Sequence, residues 1–422
     1  MSQRTSTILQ PTSTKLRPSR FVELVFIFAT CFISNSKGDD GFNLIKFDTD
    51  SSAVCLDGTP GGYYYRKGTD NVWLIEAEGG GWCVSLSDCL ARSKTDLGSS
   101  SQWAPTGCPG MDGGSNGMFS NDCTINPYFC NSHGVHMNYC DGGSFASNLE
   151  SPILYNGASL YFRGRSILDE TLSALLNLGM NEASLVVLKG CSAGGLATIL
   201  HADYVSAFVK KNVPNAITVA VPDAGFFMDH NNTLGNPSYT PLYEWVAETM
   251  NVSTSVNNAC VSFYPPEEQW RCFMAQYVAP FVTTPMFLAQ DTMDSWQMTN
   301  IYQLPCNPYH GSGNCNSSEL DLVRQYRKDM LIALQPVLSN PIHGGFYTAC
   351  VQHCHSNIDA CYNSEIVQNQ SMSQTLHYWI QKTVNGTNPP LGGLTTVIDT
   401  DGFNNPTCTA SCSPYYIETL LL

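Results

Sequence analysis

A serine set among small residues, Gly190-Cys191-Ser192-Ala193-Gly194, is the segment of this chain best suited to covalent chemistry. The aliphatic run Leu185-Val186-Val187-Leu188 before it reads as a short buried strand. The Leu- and Ala-rich segment after it, running to Lys211, reads as a helix. Strand, G-x-S-x-G, helix is the pattern of a nucleophile elbow. In so tight a turn, side chains at Gly190 and Gly194 would collide with neighbouring backbone, while the serine hydroxyl is pushed out toward the helix N-terminus. Free N–H groups and the helix dipole favour developing negative charge there. The implied chemistry is attack of Ser192 on an ester carbonyl.

Such a serine needs a base and an orienting acid at neutral pH. On a hydrolase sheet they follow the nucleophile in the order acid, then histidine. Asp223, Asp291 and Asp294 lie beyond strand-like runs after Ser192, and His310, His343, His353, His355 and His377 come later still. Chain order does not choose among them. An oxyanion hole needs converging backbone N–H groups. Ala193 offers one, and Gly79-Gly80-Gly81-Trp82 beyond an earlier strand-like run offers others. That glycine run lacks the Lys-Ser/Thr of a P-loop and the spacing of a dinucleotide fingerprint, which favours an oxyanion role over phosphate binding. His353-Cys354-His355 has metal-ligating residue types. In an extended segment, however, Cys354 points away from the two histidines, and a catalytic zinc wants three converging ligands. No metal and no cofactor is expected.

The elements that must position these groups alternate between strand and helix. Asn71 to Ala77, Val135 to Cys140, Ser159 to Arg163, Ala216 to Val221 and Thr284 to Gln290 read as strands, and Ser166 to Leu178 and Glu319 to Leu338 as helices. Residues 98–118, rich in Gly, Ser and Pro, read as a loop. This order implies an α/β fold with a mostly parallel central sheet flanked by helices. Sites in such sheets lie beyond the carboxyl ends of strands, where every polar motif above falls.

The chain has 422 residues and a formal charge of −15, and only 13% of its residues are charged. No basic tract appears, so nucleic acid is not an expected partner. Arg17 and Arg20 precede the apolar run Phe21 to Ile33, which Ser34-Asn35-Ser36-Lys37 ends. Residues 1–37 read as an export signal peptide, with an uncleaved signal anchor as the alternative and the only route to a membrane. The remainder, 38–422, reads as one domain. Removing residues 1–37, with five basic and one acidic side chain, takes the charge from −15 to −19. Eighteen cysteines point to an oxidising compartment. With Cys31 in the signal, seventeen are left, and parity leaves one unpaired. Cys191, inside the tight elbow, is expected to be that one. Sequons at Asn231, Asn251, Asn316, Asn369 and Asn385 fit a secreted glycoprotein.

Four ordered motifs resemble the pectin acetylesterase family: Glu78-Gly79-Gly80-Gly81-Trp82-Cys83, Gly190-Cys191-Ser192-Ala193-Gly194-Gly195, Asp223-Ala224-Gly225-Phe226-Phe227 and Cys350-Val351-Gln352-His353-Cys354. The resemblance runs from about Cys55 to about Trp379. The animal branch of that family is Notum, which removes palmitoleate from Wnt proteins. The third glycine, Gly81, and Cys354 after the histidine match the plant type better. The resemblance implies an α/β-hydrolase fold and a triad of Ser192, Asp294 and His353. It also implies an oxyanion hole from Gly80, Gly81 and Ala193, and bridges Cys55–Cys140 and Cys83–Cys89. Trp82, Phe226, Phe227 and Trp296 are candidates to line the substrate pocket.

The expected activity is that of a secreted carboxylesterase removing O-acetyl groups from a cell-wall-type polysaccharide such as pectin. A Notum-like hydrolase of fatty-acyl esters on proteins is one alternative, and a catalytically inactive binding protein on the same scaffold is another. Pectin is a polyanion and the chain is acidic, so a local basic lining is wanted within a Debye length of about 8–10 Å. Arg66, Lys67, Arg163, Arg165 and Lys189 are available for it.

Overall fold

The computed structural model describes residues 41–106, 116–308, 313–400, 405, 407 and 408. The expected signal segment, His310, Cys108 and Cys412 lie outside the described residues. The strands are β1 (Asn43–Lys46), β2 (Gly62–Arg66), β3 (Val72–Ala77), β4 (His133–Met137), β5 (Ile153–Tyr155), β6 (Ala158–Leu160), β7 (Leu185–Cys191), β8 (Ile217–Asp223), β9 (Phe287–Asp291), β10 (Gly344–Thr348) and β11 (Thr396–Ile398). Nine of them form one sheet in the order β1-β2-β4-β3-β7-β8-β9-β10-β11. Pairing is antiparallel from β1 to β4 and parallel from β4 to β11. The segment expected as a strand from Ser159 belongs instead to a separate two-stranded hairpin, β5-β6.

Strand alternation divides the interior into two cores. Trp73, Ile75, Val186 and Leu188 face one, and Leu74, Leu185, Val187 and Val221 face the other. Both faces are covered, which is why these strands read as continuous apolar runs. The helix Ala193–Asn212 leaves β7 and packs on β7 and β8, and its first ten residues, Ala193 to Ala202, are all buried. No amphipathic stripe is available there, because the whole first half of the helix is core.

Three central strands, β3, β4 and β7, carry charge inside. Lys189 of β7 is fully buried and its Nζ lies 2.5 Å from Glu76 Oε1 and 2.6 Å from Asn357 Oδ1. His136 of β4 meets the other Glu76 oxygen at 2.7 Å. Burial opposes the charge on Glu76, but Lys189 and His136 outweigh it and hold its pKa down at about 2. Lys189 is therefore not available as a basic lining for substrate. Arg66 is buried as well, bonded to the Phe119 carbonyl, and Arg165 pairs with Asp169. A long side chain inside the sheet is kept there only by partners, and those of Lys189 and Arg66 are spent on the fold.

Candidate active site

Ser192 stands at the end of β7, first in the turn to its helix, with φ +59. A non-glycine residue holds that left-handed conformation only when its surroundings enforce it. They do so through close backbone approach. A Cβ on Gly194 would lie 2.0 Å from the Ala77 carbonyl, and one on Gly79 would lie 2.6 Å from the Cys191 carbonyl. The Ser192 N–H donates to the Asp223 carbonyl at 3.0 Å, which ties the elbow to β8.

The glycine loop after β3 runs beside the elbow. Arg92 Nη1 donates to the Gly80 carbonyl at 2.8 Å, and Tyr139 Oη donates to the Gly81 carbonyl at 2.7 Å. In a trans peptide the N–H points opposite to the C=O. These two anchors therefore turn the N–H groups of Gly81 and Trp82 away from Arg92 and Tyr139. Among the described residues, the N–H groups of Gly80, Gly81 and Ala193 donate to no backbone carbonyl outside regular elements. Trp82 Nε1 donates to Ser144 Oγ at 2.7 Å, and Ser144 Oγ donates to the Ala193 carbonyl at 2.8 Å. One hydroxyl thus fixes both the loop and the start of the elbow helix.

The structure separates the three candidate acids. Asp294 Oδ2 lies 2.8 Å from His353 Nδ1 and also accepts from Gln290 Nε2 at 3.1 Å. Its Oδ1 accepts from the Gln297 N–H at 2.9 Å, so Asp294 also caps the helix Ser295–Asn300. Asp223 instead accepts from the N–H groups of His355 and Ser356 at 2.8 and 2.6 Å. Asp291 bonds Thr348 and lies 3.1 Å from His355 Nε2.

Among the described histidines, His353 alone meets Asp294. His343 accepts from the Met286 N–H, with burial lowering its pKa to about 4, and His377 stacks on Tyr128. His353 is buried in the loop after β10. Burial works against its protonation, but the charge and hydrogen bond of Asp294, with Asp223 and Asp291 farther off, outweigh it. Its pKa is raised above 6.5.

The base loop departs from the extended reading. Cys354 has φ +76, so His353 and His355 do not share a strand face. His355 turns into the core, fully buried among Asp223, Asp291 and Glu365 at 3.1 to 3.4 Å. These carboxylates outweigh its burial and raise its pKa well above 6.5.

Cys191 corrects a second expectation. It is not the unpaired cysteine but is bridged to Cys354, with a Cα separation of 5.8 Å. Parity counting names no residue, and the end of β7 faces the base loop at bridging distance. Cys191, Cys354 and His353 bring possible ligand atoms within 4.8 Å of one another, but the two sulfurs are bonded to each other. The other bridges among the described residues are Cys55–Cys140, Cys83–Cys89, Cys123–Cys130, Cys260–Cys272, Cys306–Cys315 and Cys350–Cys408.

Aromatic rings wall one side. Trp82 lies edge-on to Phe227, Tyr243 and Trp296 at centroid separations of 4.9, 5.0 and 5.9 Å. Phe227 and Trp296 each reach the His353 ring at 6.3 Å. Phe226 enters by its backbone, which bonds Gln290 and Gln297. Reading the sequence assigned no role to Arg92, Tyr139 or Ser144, and used Gln290 and Gln297 only as landmarks for Asp294. The two glutamines stand four before and three after Asp294, and Tyr139 adjoins the bridge candidate Cys140.

The sequence model of the pectinacetylesterase family matches residues 33–409. The chain belongs to the pectinacetylesterase family. It is 31% identical over 375 residues to pectin acetylesterase 11 of Arabidopsis thaliana, covering 85% of this chain and 90% of that one. It is 33% identical over 325 residues to pectin acetylesterase 7 of the same plant, covering 74% and 79%. Human palmitoleoyl-protein carboxylesterase NOTUM is 27% identical over 376 residues, covering 86% of this chain and 71% of NOTUM. A crystal structure of the Wnt deacylase Notum from Drosophila superposes with a TM-score of 0.74 at 21% identity, over 87% of this chain and 99% of that one. This pectinacetylesterase-family chain is a carboxylic ester hydrolase with an α/β-hydrolase-like fold.

Proposed function

We propose that this hydrolase removes O-acetyl groups from a polysaccharide outside the cell. The observation that supports the mechanism is the His353–Asp294 bond, together with the bridge that ties the residue before Ser192 to the residue after His353. Ser192 attacks the acetyl carbonyl while His353 takes its proton. Asp294 keeps the proton on His353 Nδ1, so that Nε2 can accept, and it stabilises the imidazolium. The N–H groups of Gly80, Gly81 and Ala193 receive the oxyanion. His353 then protonates the departing sugar hydroxyl. Water attacks the acetyl-enzyme with His353 again as base, and acetate leaves.

The acyl group follows from the aromatic wall. An alkyl chain held between two rings needs two carbon contacts, a separation of roughly 7–8 Å. The rings around Trp82 stand 4.9 to 6.4 Å apart and already touch. That packing supports a short acyl group over a fatty one. With Lys189 and Arg66 buried in the fold, the acidic chain is better matched to a neutral, highly acetylated glycan than to a bare polyanion.

Seven bridges among the described residues support an oxidising, extracellular setting. Among the described residues no helix is long and apolar enough to cross a membrane. Four of the five sequon asparagines, Asn231, Asn316, Asn369 and Asn385, are exposed, as a secreted glycoprotein requires.

The test compares acetate release from acetylated pectin and acetylated xylan with hydrolysis of p-nitrophenyl palmitate. Acetate release that Ser192→Ala lowers by several orders of magnitude supports the reading. Preference for the palmitate ester would replace it with the fatty-acyl alternative, and no turnover of any ester would leave only a binding role.

A further inference from the structure

The Cys191–Cys354 bridge joins the residue before Ser192 to the residue after His353, across 163 residues of chain. Both cysteines are nearly inaccessible, at 1% and 6% exposure, and pack with Ala224 in a small cluster of their own. Three non-glycine residues at this spot, Ser192, Ala224 and Cys354, have left-handed φ of +59, +45 and +76. Such backbone persists only where tertiary ties over-determine it.

The ties differ in strength. The loop carrying His353 has no regular structure between Thr348 and Asp359. Hydrogen bonds reach it from the Ser295 N–H to the Gln352 carbonyl and from its own N–H groups to Asp223. Cys350, bridged to Cys408, anchors its other side to the C-terminal segment. Among the described residues, Cys191–Cys354 is the one covalent link from the nucleophile's strand to this loop. A nucleophile and its base must keep hydrogen-bond separation, and misplacement by about 1 Å can cost on the order of a hundredfold in rate.

We infer that the Cys191–Cys354 bridge is a positioning device that sets the Ser192–His353 separation, so that turnover depends on the redox state of this pair. The inference rests on the Ser192–His353 reading above. A dithiol reductant would break the S–S bond, forming two thiols on the enzyme and a disulfide on the reductant. Beyond Cys350, the base loop would then be held by hydrogen bonds and ion pairs alone. An oxidising compartment keeps the bridge closed and the enzyme active, while a reducing pool would hold it low in activity.

The experiment uses the full mature enzyme. In the double variant Cys191→Ser/Cys354→Ser, kcat for acetate release should fall on the order of a hundredfold. KM should stay near wild type, and the fold should be intact by circular dichroism at the assay temperature. Labelling of Ser192 by a serine-directed phosphonate should slow in proportion. The control Cys306→Ser/Cys315→Ser, at a bridge remote from the elbow, should keep kcat. A bridge that only stabilises the fold would move the melting point and not the kcat of folded enzyme. A folded double variant with kcat within about twofold of wild type therefore overturns the inference.

If that variant does not fold, wild-type enzyme is exposed to dithiothreitol at neutral pH and each opened bridge is mapped by alkylation. Loss of activity should track opening of Cys191–Cys354 and return with oxidised glutathione. Opening of that pair without loss overturns the inference. A phosphonate that inactivates wild type without reaching Ser192 would overturn the mechanism itself, and this inference with it.

Discussion

Replacing Asp294 by Asn removes one charge and reverses one hydrogen-bonding group at the most constrained point of the site. The carboxylate accepts three donors, His353 Nδ1 at 2.8 Å, Gln290 Nε2 at 3.1 Å and the Gln297 N–H at 2.9 Å. An amide accepts through its oxygen alone. If that oxygen keeps the Gln297 N–H, the amide NH2 confronts two donors. The imidazole then moves its proton from Nδ1 to Nε2, which aims an N–H at Ser192. If the amide turns the other way, an NH2 faces the helix N–H, and a buried cap worth about 1 kcal/mol is lost with added repulsion. Gln290 cannot simply invert, because its Oε1 accepts from the Phe226 N–H at 3.0 Å. The tautomer shift is the cheaper response, and it disables the base. Turnover should drop roughly 10,000-fold, about 5.4 kcal/mol in activation free energy.

The pH profile supplies a second reading of the same variant. Asp294 is the largest influence raising the His353 pKa against its burial. In wild type the ascending limb of kcat/KM should lie above pH 6.5, and in Asp294→Asn residual activity should rise at lower pH than in wild type. The assay is acetate release across pH, normalised to phosphonate-titrated sites. Asp291→Asn should lower stability without a comparable loss of kcat, since Asp291 touches His355 and Thr348 and not His353. An Asp294→Asn enzyme keeping more than about a tenth of wild-type turnover refutes the reasoning. So does a dead Asp291→Asn enzyme beside it.

His355→Gln leaves Asp223, Asp291 and Glu365 without their shared cation and should cost about 3–5 kcal/mol in urea unfolding. Because the folded His355 pKa is raised, that contribution is complete below pH 6.5 and fades as pH climbs through the folded value. A gap between wild type and variant that widens with alkaline pH would contradict this assignment. Trp82→Ala should open the aromatic wall and shift preference from acetyl toward butyryl or longer p-nitrophenyl esters, each added methylene worth up to about 0.8 kcal/mol. An unchanged chain-length profile would place the acyl site elsewhere.

The elbow around Ser192 was legible in the sequence because its determinants are local. A buried strand, two glycines admitted by close backbone approach and a helix start all lie within about a dozen residues of Ser192. The α/β alternation was legible for the same reason, since central strands buried on both faces leave continuous apolar runs. Strands β2 and β10 were not read. Gly62-Tyr63-Tyr64-Tyr65-Arg66 and Gly344-Gly345-Phe346-Tyr347-Thr348 begin with glycines that look like turn residues. In the fold, a Cβ on Gly344 would lie 2.4 Å from the Trp379 ring, so the glycine serves packing.

The pairing of one candidate acid with one candidate base came only from tertiary structure. Three aspartates and five histidines satisfied chain order, and family resemblance singled out Asp294 and His353. Only the side-by-side ends of β9 and β10 put one carboxylate 2.8 Å from one imidazole. Local logic failed outright at Cys191, where a tight turn argued for a lone thiol and a loop 163 residues away supplied its partner. It failed again at His355, where one left-handed residue turned a side chain expected beside His353 into the core. Residue types and short spacings determine what a segment can do chemically. Which distant groups meet depends on strand order and on loop backbone that no local pattern encodes.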